Sequence, residues 1–404
     1  MKENFLVGQS GGPSPVINAS LYGIIDEAQK TGSAVYGMIN GIEGFLDGHF
    51  MDTAELYRSP SFRMLPNTPS SYLGSCRYKL PKDLNSEVYR KVFNRFDELK
   101  IGTFIYIGGN DSMDTVNKLN CYARASGIDI KIIGVPKTID NDLMLTDHTP
   151  GFGSAAKYVA CSMRELTLDV DAYFKPSIVI VEVMGRHAGW LTAAASLAPK
   201  YADDNPCLIY LPELTFSVEK FLDDINTKLK EKTSVIVAIS EGIRLANGRL
   251  LCEDENTAVD AFGHKSLSGS AKILERISKD KFAVKCRAIE LSLLQRSSAV
   301  HASGVDVEEA VLAGRFGVQK ALDGNSGKMV AFQRKKGAKY EIECALEDVG
   351  VICNMEKTIP HDWIIKDGTF VSKEYADYAA PLLEGEPSLV YEHGLPMFCY
   401  RDRR

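Results

Sequence analysis

Short β-branched runs alternate with longer helical patterns along most of this chain, and that alternation leaves few folds open. Phe5-Leu-Val-Gly8 is followed by Val16, Ile17, Leu21, Ile24, Ile25 and Ala28 at helical spacing, then by Ala34-Val-Tyr-Gly-Met-Ile39. Strand, helix and strand in that order make a βαβ unit, the building block of a parallel sheet covered by helices. The pattern continues with a helix from Val88 to Leu99, a strand Thr103-Phe-Ile-Tyr-Ile107, a helix from about Met113 to Ser126, and a strand Ile130-Lys-Ile-Ile-Gly-Val135. A second series begins after Pro150-Gly-Phe-Gly153. It holds a helix to about Leu168, a strand from Ser177 to Val183, a helix after Arg186, strands near Leu208 and Val235, and further elements to about Gly324.

The expected fold class is therefore α/β, with two doubly wound, Rossmann-like domains at residues 1–150 and 151–324 whose parallel-rich sheets face each other across a cleft. Residues 325–404, with the apolar run Lys328-Met-Val-Ala-Phe-Gln333 and a Pro-rich end, are expected to pack back on both. The 404 residues are 45% hydrophobic and 25% charged, ample for two cores. Apolar runs such as Ser177-Ile-Val-Ile-Val-Glu-Val-Met184 stop well short of the roughly 20 residues a membrane span needs, and the start has no signal-peptide layout, so a cytoplasmic protein without a membrane partner is expected. Nine cysteines stand singly without a C-x-x-C pair, which indicates neither a zinc site nor a disulfide frame. A formal net charge of -6 argues against nucleic acid as partner, so an anionic ligand would need a local cluster of Arg and Lys.

Such clusters occur where strands end. Val135-Pro-Lys-Thr-Ile-Asp-Asn-Asp142 brings a cation, a hydroxyl and two carboxylates together directly after an apolar strand. In extended chain Asp140 and Asp142 would project from one side, one to take a proton and the other to position the acceptor, with Lys137 facing an anion. A polar turn is the plainer alternative for such a loop. Gly8-Gln-Ser-Gly-Gly-Pro-Ser-Pro15 offers adjacent glycines, Gly11 and Gly12, before a helix, a layout that suits an anion or a simple turn. It matches neither G-x-x-x-x-G-K-[ST] nor the G-x-G-x-x-G of a nicotinamide-dependent dehydrogenase. Gly108-Gly-Asn-Asp-Ser112 could cap a helix through Asp111 or Ser112, or supply oxygen to a phosphate-bound Mg²⁺ through Asn110 or Asp111. Glu182-Val-Met-Gly-Arg-His187 ends an apolar run on Arg186, and His187 beside it suits loop orientation better than general-base duty. Arg287 and Arg296 bracket an apolar run and could clamp a phosphate or pair at the surface. Arg77 and Glu241 are further loop or strand-end candidates.

In this order, from residue 5 to about residue 315, the segments resemble the phosphofructokinase family. The resemblance implies a catalytic base at Asp140, and fructose 6-phosphate contacts at Thr138, Ile139 and Asp142. It also implies substrate and transition-state contacts at Met184, Gly185 and Arg186, a sugar-binding glutamate at Glu241, and sugar-phosphate arginines at Arg287 and Arg296. Gly11, Gly12, Arg77 and Lys137 match positions around the donor phosphates. ATP-dependent members carry G-G-D-G and P-G-T-I-D-N-D, whereas this chain has Asp111 and Lys137 at the differing glycines. A carboxylate where a nucleotide α-phosphate would lie disfavours ATP, and Lys137 can neutralise diphosphate. Diphosphate is thus the implied donor, Mg²⁺ the implied cofactor, and a homodimer or homotetramer the implied assembly. Three positions depart from the pattern: Asn110 stands for a Mg²⁺-binding Asp, Leu293 for a His or Tyr of the sugar site, and Ser177 for an Arg that reaches a neighbouring subunit's substrate, with Lys175 as a stand-in. An ATP-dependent enzyme and a catalytically silent sugar-phosphate-binding subunit are the competing readings.

Overall fold

The computed structural model describes residues 3–201, 204–253, 269–337, 339–353 and 355–401. Strand β1 (Asn4–Gln9) is buried beyond its first residue, as a strand covered on both faces must be. It leads through α1 (Ile17–Gln29) to β2 (Val35–Met38) and on to β3 (Phe50–Asp52). Helix α2 (Glu87–Glu98) opens on Ser86, whose hydroxyl accepts the Val88 N–H, and buries Tyr89, Val92, Phe93 and Phe96 at helical spacing. Strand β4 (Ile101–Gly108) is buried throughout, and α3 (Asn110–Ala125) carries the chain to β5 (Lys131–Pro136). Helix α3 begins at Asn110 rather than near Met113, so Asp111 lies in its first turn, at the positive end of the helix.

The second sheet follows α4 (Phe152–Asp171) and contains β6 (Ser177–Val183) and β7 (Leu208–Tyr210). After α5 (Val218–Glu231) come β8 (Ser234–Ser240), α6 (Ser270–Lys281) and β9 (Lys285–Glu290). Its order is β9-β6-β8-β7 and every pairing is parallel. The helix expected after Arg186 is short, Trp190–Ala193, and continues as a 3-10 turn.

Residues on both sides of position 324 pack on the first sheet. Helix α7 (Gly304–Leu322) packs on α1 and β5, and β10 (Lys328–Arg334) and β11 (Ile342–Asp348) extend the first sheet. That sheet runs β11-β10-β5-β4-β1-β2-β3, parallel in its centre and antiparallel at both rims. Two glycines let α1 and α7 approach so closely: a Cβ at Gly314 would stand 2.3 Å from the Ser20 carbonyl oxygen, and one at Gly23 2.2 Å from that of Val311. Asp306 of α7 then reaches the second half, accepting the Gly151 N–H at 2.8 Å and the Ser154 N–H at 2.9 Å at the start of α4. Among the described residues, no helix is long and apolar enough to cross a membrane.

Candidate active site

One cavity of about 520 Å³ is lined by the loops that follow β1, β4 and β5 of the first sheet and β6, β8 and β9 of the second. All are carboxyl ends of parallel strands. In the first sheet the connections from β1 and β4 leave in opposite directions, and such a switch point opens a crevice for a ligand.

The loop after β1 contributes Gly11 and Gly12. Gly11 has φ +76°, and a Cβ at Gly12 would stand 2.6 Å from an Arg296 guanidinium nitrogen. Arg296, at the end of a short 3-10 turn after β9, thus reaches across from the second half to the glycine loop. Lys137, directly after β5, is 3% exposed and donates from Nζ to the Gly12 carbonyl at 2.6 Å. The Asp140 N–H donates to the Thr138 hydroxyl at 3.1 Å. Asp140 and Asp142 both line the cavity, but not through extended chain: Asn141 between them has φ 56°, so a left-handed turn presents them. One buried oxygen of Asp142 has no hydrogen-bond partner among the described residues. From the second half, Gly185 takes φ 135°, and its N–H donates to Glu241 at 3.4 Å.

Burial pushes the Asp140 carboxyl up to about 7, with Asp142 reinforcing the rise and Lys137, Arg296 and Arg186 opposing it. Burial raises Asp142 as well, and the charge of Glu356 adds to it. Burial and the charge of Asp140 take Glu241 up to about 8, so it is mostly a neutral acid at pH 7, able to donate a hydrogen bond. Desolvation lowers Lys137 to about 8 despite Asp140 beside it. A carboxylate poised near neutrality among cations can exchange a proton near pH 7. The free-enzyme profile of kcat/KM should accordingly fall below about pH 7, as Asp140 takes a proton, and above about pH 8, as Lys137 loses one. Lys137→Arg should move only the alkaline limb upward; an unmoved limb would separate Lys137 from the rate.

Of the site residues assigned from sequence, only Gly185 and Arg287 lie off the cavity wall. Arg287 is exposed on β9 in a second, more apolar cleft of about 540 Å³, which it shares with Ser177 and Lys175, while Leu293 is 56% exposed and lines neither. Lys175 therefore does not replace the missing clamp within one chain. The wall also includes His187 and Glu356, whose Nδ1 and Oε2 lie 3.8 Å apart. Glu356 carried no sequence signal, since it stands alone in an irregular stretch far along the chain from the His187 it faces. Lys79, unremarked in the sequence, pairs with Asp111 at 3.3 Å.

Among the described residues, no three His, Cys, Asp or Glu side chains gather to hold a metal. Mg²⁺ needs no such cage: it keeps waters and substrate phosphate oxygens and takes one or two protein oxygens. Asn110 and Asp111 fit that role, since both line the cavity beside the glycine loop.

Two α/β halves closing on Asp140, Lys137, Arg77, Arg186 and Arg296 define a phosphotransferase. The Phosphofructokinase family profile matches residues 4–317, and the chain belongs to that family. It is 40% identical over 400 residues to the pyrophosphate--fructose 6-phosphate 1-phosphotransferase of Xanthomonas campestris, covering 98% of this chain and 95% of that one. A sulfofructose kinase of Alkalicoccus urumqiensis is 32% identical over 361 residues, with 89% and 91% covered. The solved structure of a pyrophosphate-dependent phosphofructokinase from Marinobacter aquaeolei superposes with a TM-score of 0.88 at 34% identity, over 98% of this chain and 95% of that one.

Proposed function

We propose that this enzyme transfers a phosphoryl group from diphosphate to the 1-hydroxyl of fructose 6-phosphate, giving fructose 1,6-bisphosphate and phosphate. One observation carries the reading: Lys137 bridges the Gly11–Gly12 loop and the Asp140 turn, so a cation stands where donor and acceptor meet. Asp140 takes the proton of the 1-hydroxyl as that oxygen forms its bond to a diphosphate phosphorus. The bond from that phosphorus to the bridging oxygen breaks, and the electron pair leaves with phosphate. Lys137 and Arg186 stabilise the charge on the transferring group. Asn110 or Asp111 would hold magnesium, which would supply further charge neutralisation. The base returns its proton in reverse, so the reaction runs both ways.

The finer parts of the reading are a reducing cytoplasmic setting and a homodimer or homotetramer. Nine cysteines, none of them in a disulfide, suit the first. The exposed Arg287, set in the second cleft, supports the other: it meets a sugar phosphate only if a neighbouring copy presents its cavity. Phosphate release from diphosphate and fructose 6-phosphate, measured beside ATP and beside a 6-sulfofructose acceptor, tests the reading. Turnover with diphosphate should exceed that with ATP by at least about 10²-fold; preference for ATP or for the sulfonated sugar would overturn it.

A further inference from the structure

Residues 355–359 tie together three loops of the cavity. The Asn110 side-chain amide donates to the Met355 carbonyl at 2.5 Å, and the Lys357 N–H donates to the Asp142 carbonyl at 2.7 Å. From the second half, the Trp190 indole donates to the Lys357 carbonyl at 2.9 Å. Glu213 accepts the Gly189 N–H at 2.8 Å and the Ile359 N–H at 3.1 Å. At the centre is the Lys357 ammonium. It donates to the carbonyls of Asp147 at 2.7 Å and Thr146 at 3.1 Å and to the Asn141 side-chain oxygen at 3.4 Å, and lies 5.3 Å from the Trp190 ring centroid.

Asn141 is the pivot of the Asp140–Asp142 turn. Its side-chain oxygen also accepts the Thr149 N–H at 3.1 Å, while its amide donates to the Tyr378 hydroxyl at 2.7 Å. That hydroxyl donates in turn to the Asp147 carbonyl at 2.7 Å. A left-handed non-glycine residue carries strain and holds its shape only when its surroundings over-determine it. Here the Thr149 N–H, the Tyr378 hydroxyl and the Lys357 ammonium all hold the Asn141 side chain.

We infer that Lys357 is a positioning residue: its ammonium fixes the left-handed turn at Asn141, and through that turn the direction in which Asp140 meets the acceptor hydroxyl. Burial lowers this amine to about 8, against the charges of Asp147 and Asp142, so it stays mainly charged at neutral pH. Lys357 does not line the cavity, and its effect passes through Asn141. The inference rests on the proposed reaction for its kinetic arm only.

Lys357→Met keeps the alkyl packing on Trp190 and both backbone hydrogen bonds while removing the donors. Turnover with diphosphate should fall on the order of 10²-fold with KM for either substrate changed less than about threefold, the signature of a misplaced reacting group. Hydrogen exchange of residues 141–149 in the substrate-free protein should quicken. Methylammonium should restore part of the turnover lost in Lys357→Ala, which also decides the matter if the methionine variant is unstable. Turnover within about threefold of the parent, unchanged exchange at 141–149, or no rescue by methylammonium would each overturn the inference. If the parent fails to turn over diphosphate, the function fails alone, because the exchange measurement still tests the turn.

Discussion

Asp140→Ser lowers turnover with diphosphate by about 10³-fold, with the sugar KM changed less than about threefold. The serine fits the same wall and leaves Lys137, Arg186 and Arg296 in place, so the anionic substrates still find their cations. It cannot accept the proton of the 1-hydroxyl at neutral pH. The carboxylate it replaces is held near pH 7 by burial and by Asp142, close to the best value for a base working in the cell. Removing that negative charge should also tighten diphosphate binding, because four cations then face one carboxylate fewer. Steady-state kinetics in both directions would check this. Unchanged turnover would remove Asp140 from the role of base.

Asp111→Gly combined with Lys137→Gly should cut kcat/KM for diphosphate by about 10³-fold and raise the use of ATP relative to diphosphate, since one placed cation on a transferring phosphoryl group is worth that much. The geometry adds a reason that the sequence lacked. Asp111 pairs with Lys79 at 3.3 Å in the first turn of α3, so replacing it disturbs an ion pair and not a lone carboxylate. Removing Asp111 releases Lys79, and removing Lys137 breaks the link to the Gly12 carbonyl. Donor competition with both substrates present reads the outcome directly. Unchanged diphosphate kinetics would mean that neither residue selects the donor.

The alternation of strand and helix made the α/β class legible, and the polar residues at strand ends pointed to the cavity wall, because parallel sheets present ligands there. Two things were not legible. Asn141 takes a left-handed conformation that no local pattern announces, so the two aspartates reach one cavity by a turn and not by strand alternation. Glu356 and Lys357 belong to a stretch with no periodicity, and only the closure of the chain on itself brings them to Asp142. The pairing of residues 328–334 with the first sheet was hidden for a related reason. A strand such as β10 reads as an isolated apolar run, and its partner β5 lies about two hundred residues earlier. Arg287 illustrates the converse: its motif matched, yet its strand sets it in another cleft.

The pairing of β10 with β5 bears on how the protein is made. Strand β5 delivers Lys137 and Asp140, and its outer edge finds β10 only when residues 328–334 have emerged from the ribosome. Until then a growing chain exposes an unpaired, apolar strand edge, the kind of surface that draws other chains. Residues 355–359, which hydrogen-bond to the Asp140–Asp142 turn, arrive later still. Synthesis thus proceeds far beyond Asp140 with an unfinished cavity wall, which waits on residues 355–359.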